Sequence, residues 1–385
     1  MLKSDTEQRV NPVLVYILTI VFSIIFLLAG RYLATRGYPE FDSVASTSCK
    51  ARVTEIVSVE EVVNGQEIYF KAELLNTEQK GEIIDVFQGI YTNFYPVKEP
   101  VSVGDRIMVY QNSGKKVPWT MQEYVRFNYI VWLGALFCVG VLIFGRFKGV
   151  NTLLSLLFTC LAVFAVYIPS ILSGQNIYLW TVVICLYVIV MTMLLINGLD
   201  KKSLCAGLGC FSGVLVAGLI TFIMSRVMNL TGMASEDTLY LTMLDLDQPI
   251  DLKAIIFGTI TIGALGAVMD VAMDIATSLN EIRQHNPNVT RVELIKSGFN
   301  IGRDVMGTMA NTLVLAYIGC DLATTLLLTA YNVGTVELMN MELIIDEFLN
   351  ALAGSFGILM TLPLTSFICS LVYVKKQKSA PPVYY

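Results

Sequence analysis

Long apolar runs joined by short polar links dominate this chain. Eight can be marked, at roughly 12–34, 127–146, 150–172, 177–199, 203–227, 253–280, 301–330 and 349–374. At 1.5 Å per residue, about 20 helical residues cross the ~30 Å hydrocarbon core of a bilayer. The pattern predicts an α-helical polytopic membrane protein with about eight transmembrane helices. The first run, Pro12 to Leu33 with one break at Arg31, exceeds the roughly 7–15 residues of a signal-peptide core, and no A-x-A-like site clearly follows it. It reads as an uncleaved anchor.

Residues 35–126 have a different rhythm. Apolar and polar residues alternate there, with turn signals between. Candidate strands are Ala51–Val57, Gln66–Leu75, Gly81–Phe87 and Asp105–Gln111, and Asn64-Gly65 is a hairpin signal. Four or five short strands suggest a small β-rich domain, barrel or sandwich, with an OB-like barrel as one form. A passive cap and a ligand- or partner-binding module are equally compatible with it. Two local patterns lie further on. Thr290-x-x-Glu293 is a capping box, and Val292, Ile295 and Phe299 follow at helical spacing, which predicts a short helix on the cytoplasmic surface. Glu337–Asn350 reads as an amphipathic approach to the last span.

Composition excludes other classes. Only 15% of residues are charged and mean hydropathy is +0.64, against about 25% charged in soluble proteins. A soluble multidomain enzyme is ruled out. Net charge is −5 without a long basic tract, so no nucleic-acid partner is expected. His285 is the one histidine, and no nucleophile motif is recognisable, so neither a Ser-His-Asp triad nor a multi-His metal site fits. The expectation is a protein that is not an enzyme and has no cofactor. Cysteines 138, 160, 185, 205, 210, 320 and 369 fall in apolar runs and Cys49 stands alone, so no disulfide framework is expected.

Charge asymmetry sets the orientation. Links on one side carry Lys3 and Arg9, Arg146 and Lys148, Lys201 and Lys202, Arg283, Arg291 and Lys296, then Lys375, Lys376 and Lys378. The alternate links 173–176, 228–252 and 331–348 contain no Lys or Arg, with Arg226 and Lys253 at span edges as exceptions. The positive-inside rule puts both termini in the cytoplasm and residues 35–126 outside the plasma membrane. Trp119, Trp132 and Trp180 then fall near the outer interface. The expected division is 1–34 (cytoplasmic N-terminus and helix 1), 35–126 (extracytoplasmic β-rich domain), 127–227 (helices 2–5), 228–252 (acidic outer loop), 253–375 (helices 6–8) and 376–385 (cytoplasmic tail).

Charge within the spans marks the candidate chemistry. Runs two to five contain no Asp, Glu, Lys or Arg well inside them. The sixth contains Asp270 and Asp274, one turn apart on one face, with Gly263, Gly266 and Ala267 allowing close helix approach. The seventh opens with Gly302-Arg303-Asp304, and Asp304, Thr308 and Asn311 share a face. Similar entry depths would level Asp270 with Asn311, Asp274 with Gly307 and Thr308, and Ser278 with Arg303. In the eighth, Pro363 frees a carbonyl near the same level.

Intramembrane carboxylates usually face the bundle interior. Asp270, Asp274, Arg303, Asp304, Thr308 and Asn311 therefore form a candidate cation, proton or substrate site. Three readings stay open: a translocation site for a proton or a cation such as Na⁺, Mg²⁺ or Ca²⁺; a buried clamp that locks helices 6 and 7; and a carboxylate pair acting on a lipid or phosphate substrate. The first expectation is a proton- or cation-coupled transporter or permease. The alternative is a membrane assembly or partner-binding protein. The implied partners are the lipid bilayer, a cation or proton, and a second copy or an extracytoplasmic protein.

The stretches Gly-Ala-Val-Met-Asp-Val-Ala-Met-Asp-Ile-Ala-Thr-Ser-Leu-Asn-Glu (266–281) and Gly-Arg-Asp-Val-Met-Gly-Thr-Met-Ala-Asn-Thr-Leu-Val-Leu-Ala-Tyr (302–317) resemble the YibE/F-like multi-pass membrane proteins of bacteria, over about residues 120–375. The resemblance implies a bacterial cell-membrane location. It brings no activity, substrate or site residue with it, so the six candidates rest on the physical argument alone.

Overall fold

The computed structural model describes residues 12–39, 48–76, 80–91, 99–111, 118–234, 236–244, 246, 248–320, 322–330 and 334–374. Lys3, Arg9, Lys375, Lys376, Lys378 and the predicted tail 376–385 lie outside the described residues. The chain divides into two compact units. One holds Glu40–Phe144; the other holds the N-terminal helix and everything from Gly145 onward.

The first unit is built on five strands: β1 (Cys49–Val62), β2 (Gly65–Leu74), β3 (Ile83–Tyr91), β4 (Arg106–Gln111) and β5 (Trp119–Tyr124). They close into a barrel in the order β1-β2-β3-β5-β4. Only the β3–β5 pair is parallel. Alternation places Ile68, Phe70, Ala72 and Leu74 of β2 inside with Ile84, Val86 and Ile90 of β3. The polar side chain of Gln88 shares that interior. Gln88 donates from Nε2 to the Glu99 carbonyl at 2.8 Å and accepts from the Val101 N–H at 3.1 Å, which pins the approach to β4.

The predicted hairpin exists with its turn one residue earlier than expected. Val62 pairs with Gly65, so Val63 and Asn64 form the loop, and Asn64 takes the positive φ of 68°. Gly65 is instead required by close approach, because a Cβ there would overlap the Ile90 carbonyl oxygen. The position of the fifth strand was not among the four named from the sequence, and it makes Trp119 a barrel residue packed on the core.

The helices are α1 (Pro12–Ala34), α2 (Phe127–Ala162), a π-helical turn (Val163–Tyr167), α3 (Ile168–Leu172), α4 (Ile177–Asn197), α5 (Lys201–Val227), α6 (Glu236–Thr242), α7 (Leu252–His285), α8 (Arg291–Cys320), α9 (Leu322–Ala330), α10 (Thr335–Leu338) and α11 (Glu342–Tyr373). Among the described residues, six stretches are long and apolar enough to cross a membrane: Val13–Ala34, Phe127–Leu172, Ile177–Asn197, Lys201–Val227, Leu252–His285 and Glu342–Tyr373. Phe127–Leu172 breaks at Arg146 (φ 48°, ψ −127°), close to the boundary between the second and third apolar runs.

The predicted surface helix and the predicted span 301–330 prove to be one element, α8, followed by α9. The capping box is the N-terminus of α8 itself: the Thr290 N–H donates to Glu293 Oε2 at 2.9 Å, and the Glu293 N–H donates to Thr290 Oγ1 at 3.3 Å. Its inner face carries Leu294, Gly298 and Gly302, whereas Val292 and Phe299 point outward.

α5, α7 and α11 form the heart of the second unit, each packed on the other two. Small residues permit this. A Cβ at Gly209 or Gly213 of α5 would overlap the Thr365 or Thr361 hydroxyl of α11, and one at Gly357 would sit 3.0 Å from Ala217 Cβ. Thr361 satisfies its own hydroxyl by donating to the Gly357 carbonyl at 2.7 Å. α4 covers α5 and α7, and α1 lies on α4, where Phe26 stacks on Tyr187 at 3.9 Å. Trp180 is buried here and donates to Gln175 Oε1 at 2.6 Å, while Gln175 Nε2 donates to the Leu33 carbonyl at 2.7 Å.

Two outcomes follow. Gly213→Leu is expected to destabilise the helical unit by about 2–3 kcal/mol through overpacking, read as thermal unfolding in detergent, while Gly140→Leu, where a Cβ would meet nothing within 4 Å, leaves it unchanged. The Thr290 backbone N–H, then its hydroxyl, hold the Glu293 carboxyl below its ordinary range. Its folded value lies below the unfolded one, so its contribution is complete above the ordinary carboxylate range and is lost as pH falls through the depressed value. Amide exchange in the first turn of α8 should accelerate on acidification, and Glu293→Gln should flatten that dependence.

Candidate functional site: the carboxylate face of α7 and α8

Asp270 and Asp274 lie on α7, whose buried face is Ala264, Val268, Val271, Ala272, Ile275, Ala276 and Leu279. That arc seats α7 between α5 and α11. The opposite arc carries Thr259, Gly263, Gly266, Asp270 and Asp274, at spacings of three and four, and all five are exposed. The two acids thus share a face as expected, but it turns away from the core. Asp270 lies 18 residues from the start of α7 and 15 from its end, so about 27 and 22 Å from the two termini.

α8 repeats the arrangement. Ile301, Val305, Met309 and Leu313 pack toward the bundle, and Arg303, Asp304, Thr308 and Asn311 are exposed on the other side. The Thr308 hydroxyl donates to its own helix, to the Val305 carbonyl at 2.9 Å. Among the described residues, no carboxylate forms an ion pair with Arg303. A single chain therefore neither encloses the six residues in a niche nor clamps the two acids with the arginine.

Contacts along α7, α8 and α11 fix their relative depth. A Cβ at Gly298 would lie 3.3 Å from Leu279, and one at Gly263 would lie 2.9 Å from the Tyr317 hydroxyl. Leu313 and Ala264 both meet Gly354. This antiparallel register brings Asp274 level with residues 303–306 and Asp270 level with residues 307–310. The expected pairing of Asp270 with Asn311, and of Asp274 with Gly307 and Thr308, is shifted by up to a turn. The cause is the α7–α8 connection: α7 runs on to His285 and α8 already begins at Arg291. The register keeps Asp274, Arg303 and Asp304 at one depth and Asp270 and Thr308 at the next.

This depth governs the chemistry. An Asp at the centre of a helix in hydrocarbon costs about 2.5–3.5 kcal/mol, and two one turn apart repel each other in a low dielectric. A proton or cation relieves both. Oxygens of Asp270, Asp274, Asp304, Thr308 and Asn311 are the available ligands. Among the described residues there is no cluster of three metal-ligating His, Cys, Asp or Glu side chains. A neighbouring cleft of about 220 Å³ between α8 and α11 reaches Gly307; Met306, Ala310, Leu352, Phe356 and Leu359 make its walls largely apolar, with Ser355 as the polar residue among them.

A second polar position escaped the reading of the sequence. Asp346 and Asn350 sit one turn apart on α11, and each has one side-chain oxygen shielded from solvent without a hydrogen-bond partner. Asn350 is only 9% exposed. They repeat the four-residue spacing of Asp270 and Asp274, and that spacing was the available signal. It was masked because residues 337–350 read as an amphipathic surface approach. By the contacts of Gly354 with Ala264 and of Gly357 with Val268, Asn350 stands about ten residues, or ~15 Å, along the bundle from Asp270. It is a separate position.

Residues 133–375 match a family model described as YibE/F-like protein. The chain belongs to the YibE/F-like family. The match takes in both motif stretches and all of α4, α5, α7, α8 and α11, and it leaves the barrel outside. No curated protein and no solved structure matches the chain.

Asn350→Leu is expected to raise stability by roughly 1 kcal/mol, since it replaces a shielded, unsatisfied amide oxygen by an apolar group. Thermal unfolding in detergent reads the change, and a loss of stability would show that the amide holds a partner.

Proposed function

We propose that this YibE/F-like protein is a proton- or cation-coupled transporter of the bacterial plasma membrane, with Asp270 and Asp274 as its coupling carboxylates. In this reading about eight helices span the bilayer and both termini are cytoplasmic. The five-stranded barrel is OB-like and extracytoplasmic. The observation that carries the proposal is the position of the two acids: near the middle of a membrane-length helix, one turn apart, and unpaired with Arg303. A packing lock would place them between helices of the chain. Their outward arc supports a group that exchanges its ion instead. Thr308, level with Asp270, supplies a neutral oxygen nearby. Arg303 and Asp304, level with Asp274, adjust the charge on the side where α7 turns into α8.

The test uses the full-length protein in proteoliposomes loaded with a pH-sensitive dye, under imposed gradients of H⁺, Na⁺ or K⁺. The wild type is expected to dissipate at least one of these gradients about tenfold faster than protein-free liposomes. Asp270→Asn and Asp274→Asn should return the rate to baseline while thermal unfolding stays within about 1 kcal/mol of wild type. A wild type no faster than empty liposomes, or variants that match it, would refute the assignment.

A further inference from the structure

The face formed by α7 and α8 is unsuited to lipid as it stands. Asp270, Asp274, Arg303 and Asp304 are all exposed on it. Beside the acids of α7, Gly266 opens onto free space, with nothing within 4 Å of where a Cβ would be, so another backbone can approach closely. The occupant has to bring charge. The first part of α2, from Phe127 to Gly145, contains no charged side chain and cannot neutralise the acids.

The face itself carries both signs, and the register arranges them by depth. Two chains inserted in the same direction and related by a two-fold axis along the membrane normal bring equal depths together. Arg303 is level with Asp274, so each arginine would stand opposite an acid of the other copy.

We infer that a second copy of this chain covers the α7–α8 face, with Arg303 of each copy paired to Asp274 of the other. The pairing neutralises one acid per copy and removes the arginine from contact with lipid. Asp270, one turn deeper and level with Thr308, keeps no arginine. If the coupling function proposed above holds, the ion exchanges at Asp270 at the boundary between the two copies, and Asp274 takes part in coupling through its pairing with Arg303 of the other copy. The pairing itself does not depend on that function.

The experiment measures self-association of the full-length chain in liposomes by energy transfer between donor- and acceptor-labelled copies, across a range of protein-to-lipid ratios. Arg303→Asp and Asp274→Arg are each expected to weaken association about tenfold or more, and the double exchange to restore it to within about threefold of wild type. Gly266→Trp fills open space and leaves the fold of one chain intact, as circular dichroism would show, but holds two copies apart and should also weaken association about tenfold. A chain that stays monomeric at every ratio overturns the inference. So does a double exchange no better than the single ones, or a Gly266→Trp protein that associates like wild type. Pairing as described without ion flux leaves this inference standing and removes only the coupling function.

Discussion

The close approach of α5 and α11 is the constraint on which the helical unit depends. Gly209, Gly213 and Gly357 let the two backbones come near enough that threonine hydroxyls fill the seam. Hydrophobic burial gives little drive for such contacts in a bilayer, so small residues and packing decide them. Once α5 and α11 are joined, the groove they form accepts one face of a third helix. In α7 that face is Ala264, Val268, Ala272, Ile275 and Ala276. Helical geometry then dictates that Asp270 and Asp274, on the opposite arc, point out of the bundle.

That rotation also explains why the sequence was legible in one respect and opaque in another. Spans were readable because crossing hydrocarbon demands length and apolarity, and α1, α4, α5, α7 and α11 follow their runs closely. Which side of each helix faces the core was not readable. In water, polarity separates outside from inside. In lipid both directions are apolar. At the start of α8, helical spacing alone singled out Val292 and Phe299, which are exposed, whereas Leu294, Gly298 and Gly302 line its buried face, the two glycines against α11. The expectation that intramembrane acids face their own bundle assumes that one chain is the whole bundle.

The barrel shows the opposite balance. Alternation located both β2 and β3, although β3 runs on to Tyr91, because there the solvent rule holds. β5 was missed since Trp-Thr-Met-Gln-Glu-Tyr is short and buries two adjacent residues, Thr120 and Met121, where strict alternation would bury one. Gln88 illustrates the remaining limit. An amide in an interior strand position reads as an error in the pattern until its two backbone partners, more than ten residues away, are known.

Two kinds of polar side chain in the helical unit stand in contrast, apart from shielded and unbonded ones such as Asp346 and Asn350. Thr361, Thr261, Ser366 and Tyr373 are buried and bonded to backbone carbonyls, so they belong to the packing and carry no net charge to be dealt with. Asp270, Asp274, Arg303 and Asp304 have no such partners among the described residues, and they lie together at two adjacent depths. A fold needing only stability has no use for the second kind, since an apolar side chain on an outward arc costs less in lipid than a carboxylate. In the proposed reading their stabilisation comes from outside the single chain: an ion, a second protein surface, or both at once. Under those two proposals the depth register favours the combination, because Arg303 of one copy answers Asp274 of the other and leaves Asp270 to the mobile positive charge.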